Sequence, residues 1–182
     1  MQYPLRDESL FNIVAVFRTD NIHERASEDA YRAVLTKTYA SAHPIMREML
    51  GMMNLEHRWV IADRDPLRHW SRGRVTLLGD AAHPVLQTFA QGASMAIEDA
   101  VVLARCIELA GDDFPAACKR YEAERVARTT RLVLESRAIW DFYHLEGAAR
   151  DARNAAEAER SETDVFDCLA WLYDGVQLPE AL

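Results

Sequence analysis

The clearest alternation of apolar and polar positions lies between residues 74 and 100. Val75, Thr76, Leu77 and Leu78 form a near-continuous apolar run that ends at Gly79-Asp80. Such a run, stopped by glycine, predicts a strand buried on both faces. Gly79 allows a sharp turn and a close backbone approach. Beyond a loop, Gly92-Ala93-Ser94 opens a helical period that Gly111-Asp112-Asp113 breaks. Ala93, Ala96, Ile97, Ala100, Val101, Ala104 and Ile107 fall on one stripe of it, which predicts close packing against a sheet. Residues 114–144 carry a longer helical period, with Tyr121, Val126, Leu132, Val133, Ile139 and Trp140 among its apolar positions. Arg120, Arg125, Arg128, Arg131 and Arg137 alternate there with Glu122, Glu124 and Glu135, which predicts a solvated face laced with ion pairs.

The first third has a different texture. Residues 1–4 and 10–17 read as two strands joined by Arg6-Asp7-Glu8-Ser9. The second is apolar on both parities, so it should be central and covered. Ser27 is placed to cap a helix bearing Tyr31, Val34 and Leu35, and His43-Pro44 begins another that Gly51 ends. Residues 59–62 read as a strand, followed by the turn Asp63-Arg64-Asp65-Pro66, where Arg64 and Asp65 suggest a surface ion pair. Residues 147–162 form a polar Ala/Arg/Glu stretch, and Phe166, Leu169, Ala170, Leu172 and Tyr173 a short amphipathic helix. The predicted class is α+β: a small mixed or antiparallel sheet, one buried strand ending at Gly79, and a helical C-terminal half. Two structural layers are expected, residues 1–66 with the sheet and residues 67–182 with the long helices.

Charge and cysteine use narrow the picture. The 29 acidic and 21 basic residues leave a net charge of −8, which argues against nonspecific binding to nucleic acid or anionic membrane. No apolar run reaches membrane-spanning length and no signal-peptide pattern opens the chain, so the cytoplasm is the expected compartment. Cys106, Cys118 and Cys168 are odd in number and far apart, and the histidines lack ligand spacing; inert thiols and no metal are expected.

Candidate chemistry gathers at the glycine turn. Asp80 would stand at the carboxyl end of a strand, where open α/β sheets bind ligands. Its carboxylate can accept two hydroxyl hydrogen bonds, which suits a ribose or ribityl chain. Gly92, Ala93 and Ser94 leave the N–H groups of a helix start uncovered, ready for an oxygen of partial negative charge.

The combination "GDAAHP", seven residues, then "GASMAIEDA" resembles the second flavin-binding motif of the single-component flavoprotein aromatic hydroxylases. The resemblance runs over roughly residues 3–173 and implies part of a p-hydroxybenzoate hydroxylase-like fold. It implies that Gly79 and Asp80 hold the ribityl and ribose part of FAD. Pro84 would lie beside the cofactor, and Gly92, Ala93 and Ser94 would face the pyrimidine edge of the ring. Gln87 and Tyr3 become the catalytic candidates, both facing one aromatic pocket with Val85, Leu86 and Phe89 as apolar walls. Gln87 stands where many members carry proline. That glutamine and the opening "YPLR…LFN.VAVF" resemble the 3-hydroxybenzoate 6-hydroxylases, close to the salicylate hydroxylases. The implied reaction hydroxylates a small aromatic acid, with NADH or NADPH reducing FAD and dioxygen as oxidant.

The family's glycine-rich GxGxxG turn, which holds the FAD pyrophosphate, occurs nowhere in these residues. The chain is therefore expected to be a fragment of such an enzyme, inactive and nearly without FAD by itself, with an exposed edge that favours self-association into a homo-oligomer. Two other readings stay open: the same flavin chemistry on another aromatic, polyketide or quinone substrate, and a non-catalytic association module.

Overall fold

A computed structural model describes residues 1–17 and 27–180. They form two compact units, Met1–Val60 and Ile61–Leu182, each with its own packing. The class is α+β, with helices predominating.

In the first unit, β1 (Gln2–Leu5) and β2 (Leu10–Ile13) pair antiparallel, with Tyr3 opposite Asn12 and Leu5 opposite Leu10. β2 is shorter than the apolar run suggests, and Leu10 and Phe11 are exposed. A two-stranded ribbon covers neither of its faces by itself, so central burial is not reached. The apolar residues beyond β2 do find a core. Ala15 and Phe17 pack with Tyr31, Tyr39 and Met53 around buried Leu35, Leu50 and Leu55. Ser27 caps α1 (Glu28–Thr38) as expected, its Oγ accepting the Ala30 N–H at 3.2 Å. His43 caps α2 (Pro44–Gly51), with proline in the first turn. Residues 59–62 are not a strand. No described segment pairs with them, and Trp59 is 80% exposed.

The second unit opens on a two-residue ribbon, β3 (Ser71–Arg72) against β4 (Val75–Thr76), turning at Gly73. The strand expected over residues 75–78 is therefore short, and Val75 is 68% exposed rather than buried. Burial on both faces needs covering layers on both sides, and β4 has one neighbouring strand. The chain stays extended to Leu78 and then enters a 3₁₀ turn, Gly79–Ala81. A second 3₁₀ turn, Gln87–Phe89, precedes α3 (Gly92–Ala110), α4 (Phe114–Tyr143), α5 (Gly147–Glu159) and α6 (Glu162–Tyr173). Asp113 caps α4 through the Ala116 N–H, and Ser161 with Asp164 forms a capping box on α6.

The main core of this unit joins Trp70, Ala82, Val102, Cys106, Ala117 and Tyr121. A second cluster joins Met95, Leu132 and Leu172, with Val85, Phe89 and Trp171 packed on it. Burying each large apolar side chain here contributes about 1.5–3 kcal/mol. The helix periods were legible, but the facing of α3 was not. Its buried positions are Met95, Asp99, Val102 and Cys106, and they meet α4. Most of the small-residue stripe is exposed (Ala93, Ile97, Ala100, Val101 and Ala104), whereas Ala96 and Ile107 are half-buried. No helix among the described residues is long and apolar enough to cross a membrane.

Candidate functional site: the Gly79–Asp80 turn and the start of the third helix

Gly79 is buried and left-handed, with φ +58°. A Cβ added there would lie 3.2 Å from the Ala96 Cβ, so the turn rests directly on α3. This contact explains the glycine: both its conformation and its proximity to the helix exclude a side chain.

The turn is tied down by a buried carboxylate. Asp99 Oδ2 accepts the Gly79 N–H at 3.0 Å and lies 2.6 Å from His83 Nε2. Its other oxygen accepts Arg125 Nε at 2.7 Å. Asp99 and Arg125 are both 0% exposed. Arg125 also donates to Glu98 at 2.7 Å, and Glu98 takes a bidentate pair from Arg128, 2.8 Å on each oxygen. Arg128 reaches on to the Trp171 and Leu172 carbonyls at the end of α6. Burial alone would raise the Asp99 carboxyl, but the bonds from His83, Gly79 and Arg125 outweigh it and hold the group below the usual carboxylate range. Glu98 is also pushed up by burial, and Arg128 and Arg125 bring it down by more. Burial, with Asp99 close by, raises the phenol of Tyr121, whose hydroxyl donates to the Leu77 carbonyl at 3.3 Å.

α4 also anchors the approaches to the turn. Glu122 accepts the Trp70 and Ser71 N–H groups at 2.6 and 2.7 Å. Thr88 Oγ1 donates to the Ser136 carbonyl at 2.9 Å, pinning the second 3₁₀ turn. Arg137 takes both Asp63, at 2.5 Å, and Asp65, at 2.9 Å. The turn at residues 63–66 is thus held by α4, and Asp65 pairs with Arg137 rather than with its neighbour Arg64.

The candidate residues fall as follows. Asp80 is exposed and has no hydrogen-bond or ion-pair partner among the described residues. Gly92, Ala93 and Ser94 form the first turn of α3, where Gln91, the N-cap, makes no side-chain bond to the free N–H groups. Pro84 is half-buried in the connecting loop, and Gln87 is exposed on the second 3₁₀ turn, next to Ala90 in a left-handed conformation at φ +54°. Val85 and Phe89 pack inward on the Met95–Leu132–Leu172 cluster, so they support this loop from below. Tyr3 lies on β1 of the other unit, 43% exposed.

The residues fit a flavin on two counts: the unpartnered Asp80 carboxylate can accept hydroxyls, and the uncapped start of α3 offers free N–H groups. No cluster of metal-ligating side chains occurs among the described residues.

Sequence reasoning missed Asp99, His83 and Arg125. Its charge pattern places Arg125 on a solvated face, yet the residue is wholly enclosed. A signal existed: Tyr121, Arg125 and Thr129 follow one another at i, i+4 along the side of α4 that also carries buried Leu132, Val133 and Ser136. A charge in that register is a buried partner for an acid on the facing helix.

The network predicts a pH dependence with a definite sign. Asp99 and Glu98 have lowered folded-state pKa values, so their contribution is complete above the unfolded carboxylate value, roughly 4. It is lost as pH falls from there through the folded values. Urea midpoints measured from pH 6 to pH 2.5 should drop steeply below about pH 4, and Glu98→Gln should flatten that drop. An equal slope in the variant would remove Glu98 as a contributor.

Comparison with known proteins identifies the family. The FAD binding domain family matches residues 1–136. A 3-hydroxybenzoate 6-hydroxylase of Polaromonas naphthalenivorans is 38% identical over 173 residues, 95% of this chain and 43% of that protein. 3-Hydroxybenzoate 6-hydroxylase 1 of Aquipseudomonas alcaligenes is 42% identical over 178 residues, 95% of this chain and 44% of that protein. The crystal structure of Klebsiella pneumoniae HpxO complexed with FAD and uric acid is similar with a TM-score of 0.71 at 30% identity, covering 82% of this chain and 39% of that one. The chain spans about half the length of the curated relatives it matches. With a family match over residues 1–136 and 38% identity to a 3-hydroxybenzoate 6-hydroxylase over 95% of its length, the chain belongs to the FAD binding domain family of the flavin-dependent aromatic hydroxylases.

Proposed function

We propose that this chain forms the flavin-proximal and substrate-side part of an FAD-dependent monooxygenase that hydroxylates a small phenolic acid, using NADH or NADPH and dioxygen. The observation that carries the reading is Asp80: a free carboxylate on a turn whose backbone is fixed by a buried ion network. Relatives named 3-hydroxybenzoate 6-hydroxylase and 6-hydroxynicotinate 3-monooxygenase support a small hydroxylated aromatic acid as the substrate class.

In this reading FAD supplies the redox and oxygen chemistry when bound. Asp80 accepts ribityl or ribose hydroxyls. The first turn of α3 offers its N–H groups to the electron-rich pyrimidine edge, where the helix dipole favours negative charge. Gln87 presents an amide that can both donate to and accept from a phenolic substrate, which a proline there could not. Tyr3 is proposed as a substrate-side hydroxyl on the ribbon of the first unit. Thr88, bonded to the Ser136 carbonyl, pins the backbone that carries Gln87, which lowers the cost of ordering this loop on binding.

Riboflavin separates the parts of the claim, because it carries the ring and ribityl chain without pyrophosphate. The 182 residues contain no GxGxxG, so the chain should bind riboflavin and FAD with similar, weak affinity in a fluorescence titration. Asp80→Ala removes a charged acceptor, a loss of about 1.5–3 kcal/mol, and should weaken both flavins by roughly ten- to a hundredfold. Unchanged affinity in the variant would contradict the assignment. Product analysis with small phenolic acids on FAD-loaded protein tests the hydroxylation itself.

A further inference from the structure

The side chain that meets the flavin in this reading is Asp80, yet nothing in Asp80 fixes where it stands. Its position follows from the preceding peptide, and that peptide is held by another residue. Asp99, 20 positions along the chain and one turn into the buried face of α3, accepts the Gly79 N–H at 3.0 Å. The same oxygen holds His83, which closes the far end of the turn, at 2.6 Å. The turn thus hangs from one carboxylate oxygen at both its ends. The second oxygen is occupied by Arg125, so the carboxylate cannot rotate without breaking a buried ion pair.

We infer that Asp99 is the positioning residue of the flavin site: it sets the direction of the Asp80 carboxylate through the Gly79 peptide, with His83 and Arg125 fixing its own orientation. The inference rests on the flavin reading for its consequence, but the positioning itself is a property of the turn. A charged acceptor shared by two donors is stronger than a neutral one and admits a narrower range of geometries. An amide in its place keeps the volume and one acceptor, but its N–H₂ group must face either Arg125 or both the Gly79 and His83 donors. The turn would then keep its glycine and its Asp80 while losing the fixed relation between them.

The test uses Asp99→Asn in the full chain, with Asp80→Ala for comparison, and reads three signals. Amide hydrogen exchange and the proton shift of Gly79 report the hydrogen bond. Riboflavin titration reports affinity, corrected for the folded fraction. Visible circular dichroism of bound riboflavin reports how the ring is held. Asp99→Asn should lower Gly79 protection about tenfold, weaken riboflavin about tenfold and alter the dichroism. Asp80→Ala should weaken riboflavin while leaving the Gly79 signals in place. A purely structural role for Asp99 would lower the folded fraction alone, and that result overturns the inference, as does unchanged Gly79 protection.

Should Asp99→Asn fail to fold, Arg125→Lys carries the same test, since it frees one carboxylate oxygen while keeping the positive charge. Loss of Gly79 protection with unchanged riboflavin affinity would again overturn the inference. Absence of riboflavin binding by the unaltered chain would reject the flavin reading instead, and the Gly79 signals would still decide whether Asp99 holds the turn.

Discussion

Replacing Arg125 with methionine is expected to destabilise the chain by about 3–5 kcal/mol, the range for breaking a buried ion pair from one side. Methionine keeps much of the aliphatic volume, so little of this loss comes from packing. What is lost is the charge between Asp99 and Glu98, with bonds of 2.7 Å to each. Asp99 would be left buried with only Gly79 and His83 to satisfy it. Urea unfolding followed by tryptophan fluorescence measures the effect, since buried Trp70 packs 5.5 Å from His83 and 5.7 Å from Tyr121, ring centre to ring centre. Arg150→Ala, which removes an exposed pair with Asp151, should leave the midpoint where it is. A loss below about 1 kcal/mol for Arg125→Met would place it with ordinary surface pairs. Removing Asp99 and Arg125 together should cost less than the sum of the single changes, because neither then strands the other.

Gly79→Ala is expected to destabilise by about 2–4 kcal/mol, combining left-handed strain with overpacking. The molecule contains its own control. Gly73 has φ +62°, close to the +58° of Gly79, but a Cβ at Gly73 would meet nothing within 4 Å. Gly73→Ala should therefore cost only the conformational part, about 1–2 kcal/mol. The difference between the two midpoints isolates the contact with the Ala96 Cβ at 3.2 Å. Equal losses would show that the turn yields freely against α3, and Gly79 would then matter only for its backbone angle.

Much of this was legible in the chain. The start of α3 at Gly92, the span of α4 and the Ser27 cap follow from glycine, proline and period, because local backbone preferences decide them. Strand extents were less legible. Residues 10–17 and 75–78 are apolar enough for central strands, but strand length and burial depend on neighbours that local sequence does not specify. The facing of α3 failed for a related reason. Its alanine stripe and its true core differ by a rotation of the helix, and the true face includes Asp99, which hydropathy scores as surface. The Gly-Asp turn could be found from its residue types. The residues that hold it could not, because a buried charge is visible only once its partner is known.

The short link between α3 and α4 bears on the order in which the molecule assembles. Residues 111–113 join two helices that meet along much of their length, so their mutual contacts close early and at little entropic cost. Asp99 and Arg125, 26 residues apart, belong to that hairpin. Gly79 does not, and it can dock only on a carboxylate already in place. Mutations within the Asp99–Arg125 pair should therefore slow folding, whereas those at Gly79 should mainly hasten unfolding. Kinetically, the Gly79–Asp80 turn then closes after the helical hairpin and opens before it.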